Sequence, residues 1–176
     1  MQLRHWGFKI SLEINRKAVV MKIEFELNGQ KVSVDVEPTM RLLDVLREHF
    51  GLISVKEGCG EGECGSCSVL LDGKAVPSCL VPVGMVMGRR VMTIEGYRKT
   101  KKFKVLLDAF AEAGAVQCGF CTPGIIMAVE SLLSENPHPT DEEIRRGLSG
   151  NLCRCTGYNM IVNAVKLAAQ KGAGLW

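Results

Sequence analysis

The feature that most constrains this chain is the placement of its cysteines. All eight fall into two groups of four, well separated along the sequence. The first cysteine group is Cys59, Cys64, Cys67 and Cys79. The second cysteine group is Cys118, Cys121, Cys153 and Cys155. The sequence therefore predicts a fold that gathers each group at one place, either around a metal centre or in disulfide bonds.

The first cysteine group lies in a loop that is rich in glycine. Three of its members stand in "GCGEGECGSC", residues 58–67, spaced C-x4-C-x2-C, and eleven residues separate Cys67 from Cys79. Plant-type ferredoxins space the ligands of a 2Fe–2S cluster in this way. A loop around a compact anion needs positive φ angles, which glycine adopts at low cost. Structural zinc usually takes two short cysteine pairs, so zinc fits this loop poorly, and disulfides fit it less well.

The second cysteine group is ambiguous by spacing alone. It reads Cys118-x2-Cys121, then 31 residues, then Cys153-x-Cys155, which suits either zinc or an iron–sulfur cluster. Each half precedes a predicted helix. Helix N-termini carry free N–H groups and partial positive charge, which favour thiolates and anionic clusters. Two such ends facing each other would make a preformed anion site, and zinc stays open at this point.

Residues 21–97 show the pattern of a small α+β domain. The stretch "KIEFELNGQKVSVDVE" alternates apolar and polar residues around Asn28-Gly29, which predicts a β-hairpin. The stretch "PTMRLLDVLREHFG" predicts a helix that Thr39 caps and Gly51 ends. A strand pair around Asp72-Gly73 and a further strand at "RVMTIEG" follow the cysteine loop.

Residues 98–176 change to helical periodicity. Four helices are predicted, in "KTKKFKVLLDAFAEAG", "TPGIIMAVESLLSENP", "PTDEEIRRGL" and from Thr156 to Gly172. The third has a Thr140–Glu143 capping box at its start. The basic stretch 98–104 is interpreted as a solvated linker and the beginning of a helix. We expect an all-α domain here.

Charge and hydropathy limit the possible partners. The net charge of +3 comes from residues 1–20, and the other 156 residues balance 18 basic against 18 acidic side chains. A neutral body argues against nucleic acid as the main partner. Residues 1–20 lack a continuous apolar stretch and look like an extension, so no export signal is predicted. The longest charge-free run, 113–129, is too short and too polar to span a membrane. The expectation is a cytoplasmic protein.

Three stretches together resemble a known family. They are "GCGEGECGSCSVLLDGKAVPSCL", "QCGFCTPGIIMAVESLL" and "GNLCRCTGY". In this order they are similar to the iron–sulfur subunit of the molybdenum hydroxylases, which include xanthine dehydrogenase, aldehyde oxidoreductase and carbon monoxide dehydrogenase. The likeness covers roughly residues 22–170. It makes zinc a minor alternative at either cysteine group.

The resemblance implies a fold, cofactors and partners. It implies an N-terminal β-grasp domain of the plant-type ferredoxin kind over 21–97 and a four-helix bundle over 98–176, each with one 2Fe–2S cluster held by its four cysteines. It also places Gln117 and Cys155 next to the pterin of a molybdenum cofactor. That cofactor, molybdopterin, would lie in a large subunit and FAD in a third one, so a hetero-oligomer is expected. Asn159 and Met160 differ from many relatives at a partner-facing position.

The chain lacks the residues of a substrate site. Its three histidines are scattered and are interpreted as surface residues, and no phosphate-binding loop or Ser–His–Asp set is apparent. The hypothesis is an electron-transfer subunit of an oxidoreductase complex without catalytic residues of its own. It would relay electrons from molybdopterin through two clusters to a flavin. A free-standing two-cluster ferredoxin is the alternative, and a zinc-stabilised interaction module is a third class.

Overall fold

A computed structural model of the protein describes residues 19–176. Most of the predicted N-terminal extension, residues 1–18, lies outside the described residues. Within 19–176, no helix is both long enough and apolar enough to cross a bilayer.

A five-stranded mixed sheet forms the first half of the molecule. Its strands are β1 (Met21–Leu27), β2 (Gln30–Val36), β3 (Ser68–Leu71), β4 (Lys74–Pro77) and β5 (Arg90–Met92). Their order across the sheet is β2-β1-β5-β3-β4. The β1–β5 pair is parallel, whereas β1–β2, β3–β4 and β3–β5 are antiparallel.

Both predicted hairpins are confirmed. Asn28 (φ 54°) and Gly29 (φ 82°) turn the chain between β1 and β2, and Asp72 (φ 50°) and Gly73 (φ 87°) do so between β3 and β4. Two consecutive residues with positive φ form the turn whose twist matches that of paired strands. The alternation of β1 then buries one face of the hairpin and exposes the other.

The first helix begins later than predicted. Helix α1 (Leu42–Asp44) continues as a π-helical turn (Val45–His49) and ends before Gly51, whose φ is +66°. The predicted cap at Thr39 was wrong, because its hydroxyl donates to Glu37 at 2.7 Å. The preceding residues form a turn, and a distant segment holds them by backbone bonds that include Val83 N–H to the Met40 carbonyl at 2.8 Å. Tertiary pairing therefore delays the helix.

The four helices predicted after residue 98 are all present. They are α3 (Lys101–Glu112), α4 (Thr122–Glu135), α5 (Asp141–Gly147) and α6 (Asn159–Lys171). A short helix, α2 (Ile94–Tyr97), replaces the end of the strand predicted at "RVMTIEG". The capping box at the start of α5 is confirmed. Helix α6 begins three residues after the predicted Thr156, because Gly157 and Tyr158 adopt positive φ.

Strand β3 contributes to both hydrophobic cores. Val69 and Leu71 are buried in a core that the sheet shares with α1. Leu70 points to the other face and is buried in a core built mainly from α3, α4 and α6. The sheet therefore packs against helices on both faces, and the fold is α+β as predicted. This packing also brings the loops that carry the two cysteine groups together.

Candidate metal centres

The first cysteine group is assembled from the glycine-rich loop and a turn after β4. Cys59 and Cys64 lie in the loop, Cys67 directly precedes β3, and Cys79 lies in a single 3-10 turn, Ser78–Leu80. The side chains come together as two pairs, Cys59 with Cys64 and Cys67 with Cys79. The first pair faces the surface and the second is buried. The Ser78 hydroxyl donates to the Cys67 carbonyl at 2.8 Å and holds the buried pair in place.

Backbone N–H groups of the loop point at its sulfur atoms. Cys59 N–H donates to Cys64 Sγ and Glu61 N–H donates to Cys59 Sγ, both at 3.4 Å. These donors favour the thiolate, and the pKa of Cys59 is lowered to about 7, with the Glu61 N–H as the largest cause. A Cβ at Gly58 would lie 2.8 Å from Cys64 Sγ, so only glycine leaves room for that sulfur.

Burial shifts the pKa of Cys79, a member of the inner pair, in the opposite direction. Cys79 is 4% exposed, and burial raises its pKa to about 11, with further contributions from neighbouring Cys67. A thiol that burial keeps protonated, as at Cys79, gains little from facing the neighbouring Cys67. A metal centre that takes both as thiolates would supply the missing positive charge.

The second cysteine group also forms two pairs. Cys118 Sγ lies 3.6 Å from Cys155 Sγ, and both residues are exposed. Cys121 neighbours Cys153, and burial followed by this neighbour raises the Cys121 pKa to about 12. Cys121 directly precedes α4, as predicted for an anion site at a helix N-terminus. Cys153 and Cys155 lie further from their helix, because α6 begins only at Asn159.

The number and arrangement of the thiols in each cysteine group suit a two-iron cluster. All eight cysteines are free thiols. Within residues 19–176, no three Cys, His, Asp or Glu side chains converge on a single metal-ion position. A 2Fe–2S cluster divides its four thiolates into two per iron, whereas one tetrahedral ion needs all four around one point. The two-and-two pairing, the inward N–H donors and the glycine at position 58 fit a 2Fe–2S cluster.

The two cysteine groups are joined by direct contacts between their loops. Leu152 N–H donates to the Cys64 carbonyl at 2.9 Å. The buried amide of Asn151 donates to the Gly65 carbonyl at 3.1 Å. Gly124, in the first turn of α4, lies so close that a Cβ there would be 2.2 Å from the Gly65 oxygen. Sequence reasoning missed this junction, because no local pattern indicates which loops pack together.

Gln117 and Cys155, the two predicted pterin-facing residues, both lie at the surface. The same chain segments carry four exposed apolar side chains: Val116 and Phe120 lie on either side of Cys118, and Leu152 and Met160 on either side of Cys155. These four side chains, together with Gln117, Cys118 and Cys155, are named the outer face of the second cysteine group. Exposed apolar residues of this size near a candidate site are typical of a protein–protein contact.

One buried carboxylate was not predicted. Glu130 of α4 accepts hydrogen bonds from the Tyr97 hydroxyl, from Lys102 at 2.9 Å and from Trp176 Nε1 at 2.7 Å. The interpretation of 98–104 as a solvated stretch was therefore wrong for Lys102, whose side chain is only 29% exposed. The desolvated carboxylate draws this lysine in, because a buried charge requires a partner.

Comparison with known proteins agrees with this geometry. Residues 25–89 match the profile of the 2Fe-2S iron-sulfur cluster binding domain, and residues 93–166 match that of the [2Fe-2S] binding domain. The chain is 52% identical to the nicotinate dehydrogenase small FeS subunit of Eubacterium barkeri, over 86% of this chain and 96% of the relative. The chain belongs to the family of iron–sulfur subunits of the molybdenum hydroxylases.

Two further matches support the family assignment. The xanthine dehydrogenase iron-sulfur-binding subunit of Escherichia coli O157:H7 is 51% identical, over 81% of this chain and 91% of the relative. The crystal structure of quinoline 2-oxidoreductase from Pseudomonas putida 86 superposes with a TM-score of 0.80 at 43% identity, over 87% of this chain and 98% of that chain. This iron–sulfur subunit is thus an oxidoreductase component with two 2Fe–2S binding domains.

Proposed function

We propose that the first and second cysteine groups each hold one 2Fe–2S cluster, and that the chain relays electrons from a molybdopterin site to a flavin. When bound, each cluster takes up and gives up one electron at a time. The observation that carries the proposal is the two-and-two pairing of all eight free thiols, with the two loops in direct contact. The residues that would act as ligands are Cys59, Cys64, Cys67, Cys79, Cys118, Cys121, Cys153 and Cys155.

The chain's own residues would hold and insulate the clusters. In each group one pair of thiols is exposed or half-buried at the surface, and the other includes a buried thiol. The outer thiols give access to neighbouring cofactors, and the inner ones shield the cluster from water. Loop N–H groups donate to sulfur and stabilise its negative charge. The Leu152–Cys64 hydrogen bond keeps the two loops at a fixed separation.

The partners follow from the surface and from the relatives. Two relatives are by name subunits of larger enzymes, a nicotinate dehydrogenase and a xanthine dehydrogenase. We infer that this chain likewise assembles with a molybdenum-cofactor subunit, whose pterin would approach Gln117 and Cys155. An FAD-binding subunit would lie near the first cysteine group, beside exposed Cys59. The whole complex is expected in the cytoplasm.

We also propose a division into two domains, and the two profile matches, over 25–89 and 93–166, support a two-part chain. A β-grasp domain would span 21–97, and a helical domain built as a four-helix bundle from α3 to α6 would span 98–176. The order β2-β1-β5-β3-β4, with a parallel β1–β5 pair and α1 against the sheet, supports the β-grasp assignment.

Cluster content tests this function. The full chain, purified anaerobically with its co-expressed neighbours, is expected to contain about four irons and about four acid-labile sulfides. Reduction should give two EPR signals. Cys59→Ala should remove one of them and Cys118→Ala the other, and these two exposed cysteines make a matched pair of variants. Zinc in place of iron, or one signal that both variants remove, would refute the proposal. A chain that purifies without any molybdenum subunit would instead indicate a free-standing carrier.

A further inference from the structure

The backbone at Tyr158 adopts a conformation that bulky residues rarely accept. Its φ is +69°, and the preceding Gly157 has a φ of +64°. Left-handed backbone is costly for a residue with a large side chain and persists only where surrounding contacts enforce it. Gly157 adopts it easily, but Tyr158 does not. Tyr158 packs against the helical core, and two of its hydrogen bonds lead to Cys153.

Three hydrogen bonds close residues 153–158 into a compact loop. Tyr158 N–H donates to the Thr156 hydroxyl oxygen at 3.3 Å, and this hydroxyl donates to Cys153 Sγ at 3.2 Å. Cys153 N–H donates to the Tyr158 hydroxyl oxygen at 2.8 Å. A hydroxyl carries one proton, so a Thr156 oxygen that accepts from the backbone directs this proton at the sulfur. The left-handed backbone at Gly157 orients the Tyr158 N–H toward Thr156, and the positive φ of Tyr158 sets the direction of its side chain, whose hydroxyl accepts from Cys153 N–H.

This loop is buried around the sulfur it contacts. Cys153 is 8% exposed and Thr156 is 7% exposed. The Thr156 hydroxyl therefore meets the Cys153 sulfur away from water, at 3.2 Å. In a buried site a hydrogen bond to a charged sulfur is stronger than in water, because the local dielectric constant is lower.

We propose that Thr156 and Tyr158 are positioning residues of the second cysteine group, and that the Thr156 hydroxyl raises the reduction potential of the cluster held there. This inference rests on the proposed function, in which Cys153 is a ligand. Reduction adds one negative charge to the cluster and its thiolates. A donor to the thiolate therefore stabilises the reduced state more than the oxidised state, which raises the potential. Tyr158 acts indirectly, by orienting Thr156 and by fixing the Cys153 backbone.

The first cysteine group offers a matched hydroxyl. Ser66 is 5% exposed, and its Oγ lies 3.6 Å from Cys64 Sγ, against 3.2 Å for Thr156 and Cys153. The two hydroxyls are both buried and each lies near one ligand sulfur of its own group. Ser66→Ala therefore serves as the control variant. It should affect the signal of the first group alone.

Redox titration of the intact complex tests the proposal. The two EPR signals are assigned with Cys59→Ala and Cys118→Ala, and midpoints are measured for Thr156→Val, Thr156→Ser and Ser66→Ala. Thr156→Val should lower the midpoint potential of the second group only. The expected shift is up to about 59 mV, which for one electron is a tenfold change in the oxidised-to-reduced ratio. Thr156→Ser should restore it, since it keeps the hydroxyl.

The possible results separate this inference from the proposed function. If the wild-type complex shows two EPR signals and Thr156→Val leaves both midpoint potentials unchanged, the inference is overturned and the proposed function stands. Equal shifts in Thr156→Val and Thr156→Ser would also overturn it, because the shift would then not depend on whether the hydroxyl is present. If Thr156→Val does not retain its iron, Thr156→Ala takes its place with the same expectation. Loss of iron in all three Thr156 variants would likewise count against a hydroxyl effect.

A second variant tests the role of Tyr158. Tyr158→Phe keeps the ring and removes the acceptor of the buried Cys153 N–H. An orphaned buried donor is unfavourable, so we expect faster iron loss from the second group, detected as selective decay of its EPR signal under a chelator. Equal decay of both signals, or no change in either, would contradict a positioning role.

Discussion

Glu130 shows how one buried residue holds distant segments together. Tyr97 follows β5, Lys102 lies in α3 and Trp176 is in the last turn of the chain, yet all three donate to this carboxylate of α4. Lys102 also lies over the Trp176 ring, 5.6 Å from its centroid. Burial, and then the carboxylate itself, raise the pKa of Tyr97 well above its ordinary value, so its phenol remains a hydrogen-bond donor.

Removal of this carboxylate should destabilise the protein strongly. Glu130→Ala leaves a largely buried ammonium, a buried phenol and an indole N–H without their acceptor, which costs about 2–4 kcal/mol. Glu135→Ala on the same helix removes only an exposed ion pair with Lys74 and should cost about 1 kcal/mol or less. Chemical denaturation of both variants measures the difference in unfolding free energy. An equal loss of unfolding free energy in both variants would show that the hydrogen bonds to Glu130 do not stabilise the fold more than an exposed ion pair does.

At the scale of elements, the start of α5 makes a prediction about pH. Glu143 accepts from Thr140 N–H at 2.7 Å, and this bond, followed by the Thr140 hydroxyl, lowers the pKa of the carboxyl below its ordinary value. A group whose folded-state pKa is lowered stabilises the fold above its unfolded-state pKa. That contribution is lost as the pH falls through the lowered value.

Glu143→Gln should therefore lower the melting temperature at pH 7. The gap to wild type should close as the pH falls through the lowered folded-state pKa, because the wild-type Glu143 carboxyl is then protonated too. Glu142→Gln is the control, because Glu142 lies in the same turn and does not cap. Comparing the three proteins at each pH removes effects from the rest of the molecule. A gap that persists unchanged in acid would mean that the carboxylate charge is not involved.

Local chemistry predicted most elements but not where all of them begin. The Asn28-Gly29 turn and the Thr140 cap depend on neighbours in sequence, so their patterns were sufficient. Helix α1 begins late because residues 38–41 pair with a distant segment. Helix α6 begins late because Gly157 and Tyr158 adopt positive φ, with the Tyr158 hydroxyl accepting from the backbone N–H of Cys153. The side chain of Asn28 also bonds Thr93, 65 positions away, which no local pattern announces.

The same distinction applies to the candidate site. The two cysteine groups and their division between a sheet half and a helical half could be read from spacing. Their arrangement in pairs, and the Asn151–Gly65 contact, come from long-range packing. The glycine loop was expected to use positive φ throughout. Gly58 does not adopt positive φ. Its lack of a side chain leaves room for Cys64 Sγ, a role that only the folded structure reveals.

At the scale of the whole molecule, the two halves meet where both cysteine loops meet. Gly65 belongs to the loop of the first group, and Gly124 follows Cys121 of the second group by three residues. Their backbones approach so closely that the sheet half and the helical half cannot shift without moving both candidate clusters. The hydrogen bonds of Asn151 and Leu152 at the same place strengthen this junction. A change in the close contact at this junction should therefore affect both the unfolding free energy and the two candidate clusters.

Two alanine substitutions test this coupling. A Cβ at Gly124 would lie 2.2 Å from the Gly65 carbonyl oxygen, whereas a Cβ at Gly150 meets nothing within 4 Å. Gly124→Ala should lower the unfolding free energy by about 1–3 kcal/mol, because backbone must move to relieve the overlap. It should also change both EPR signals, and Gly150→Ala should change neither. If Gly124→Ala altered only the signal of the second group, the loops would be mechanically independent and the junction would serve packing alone.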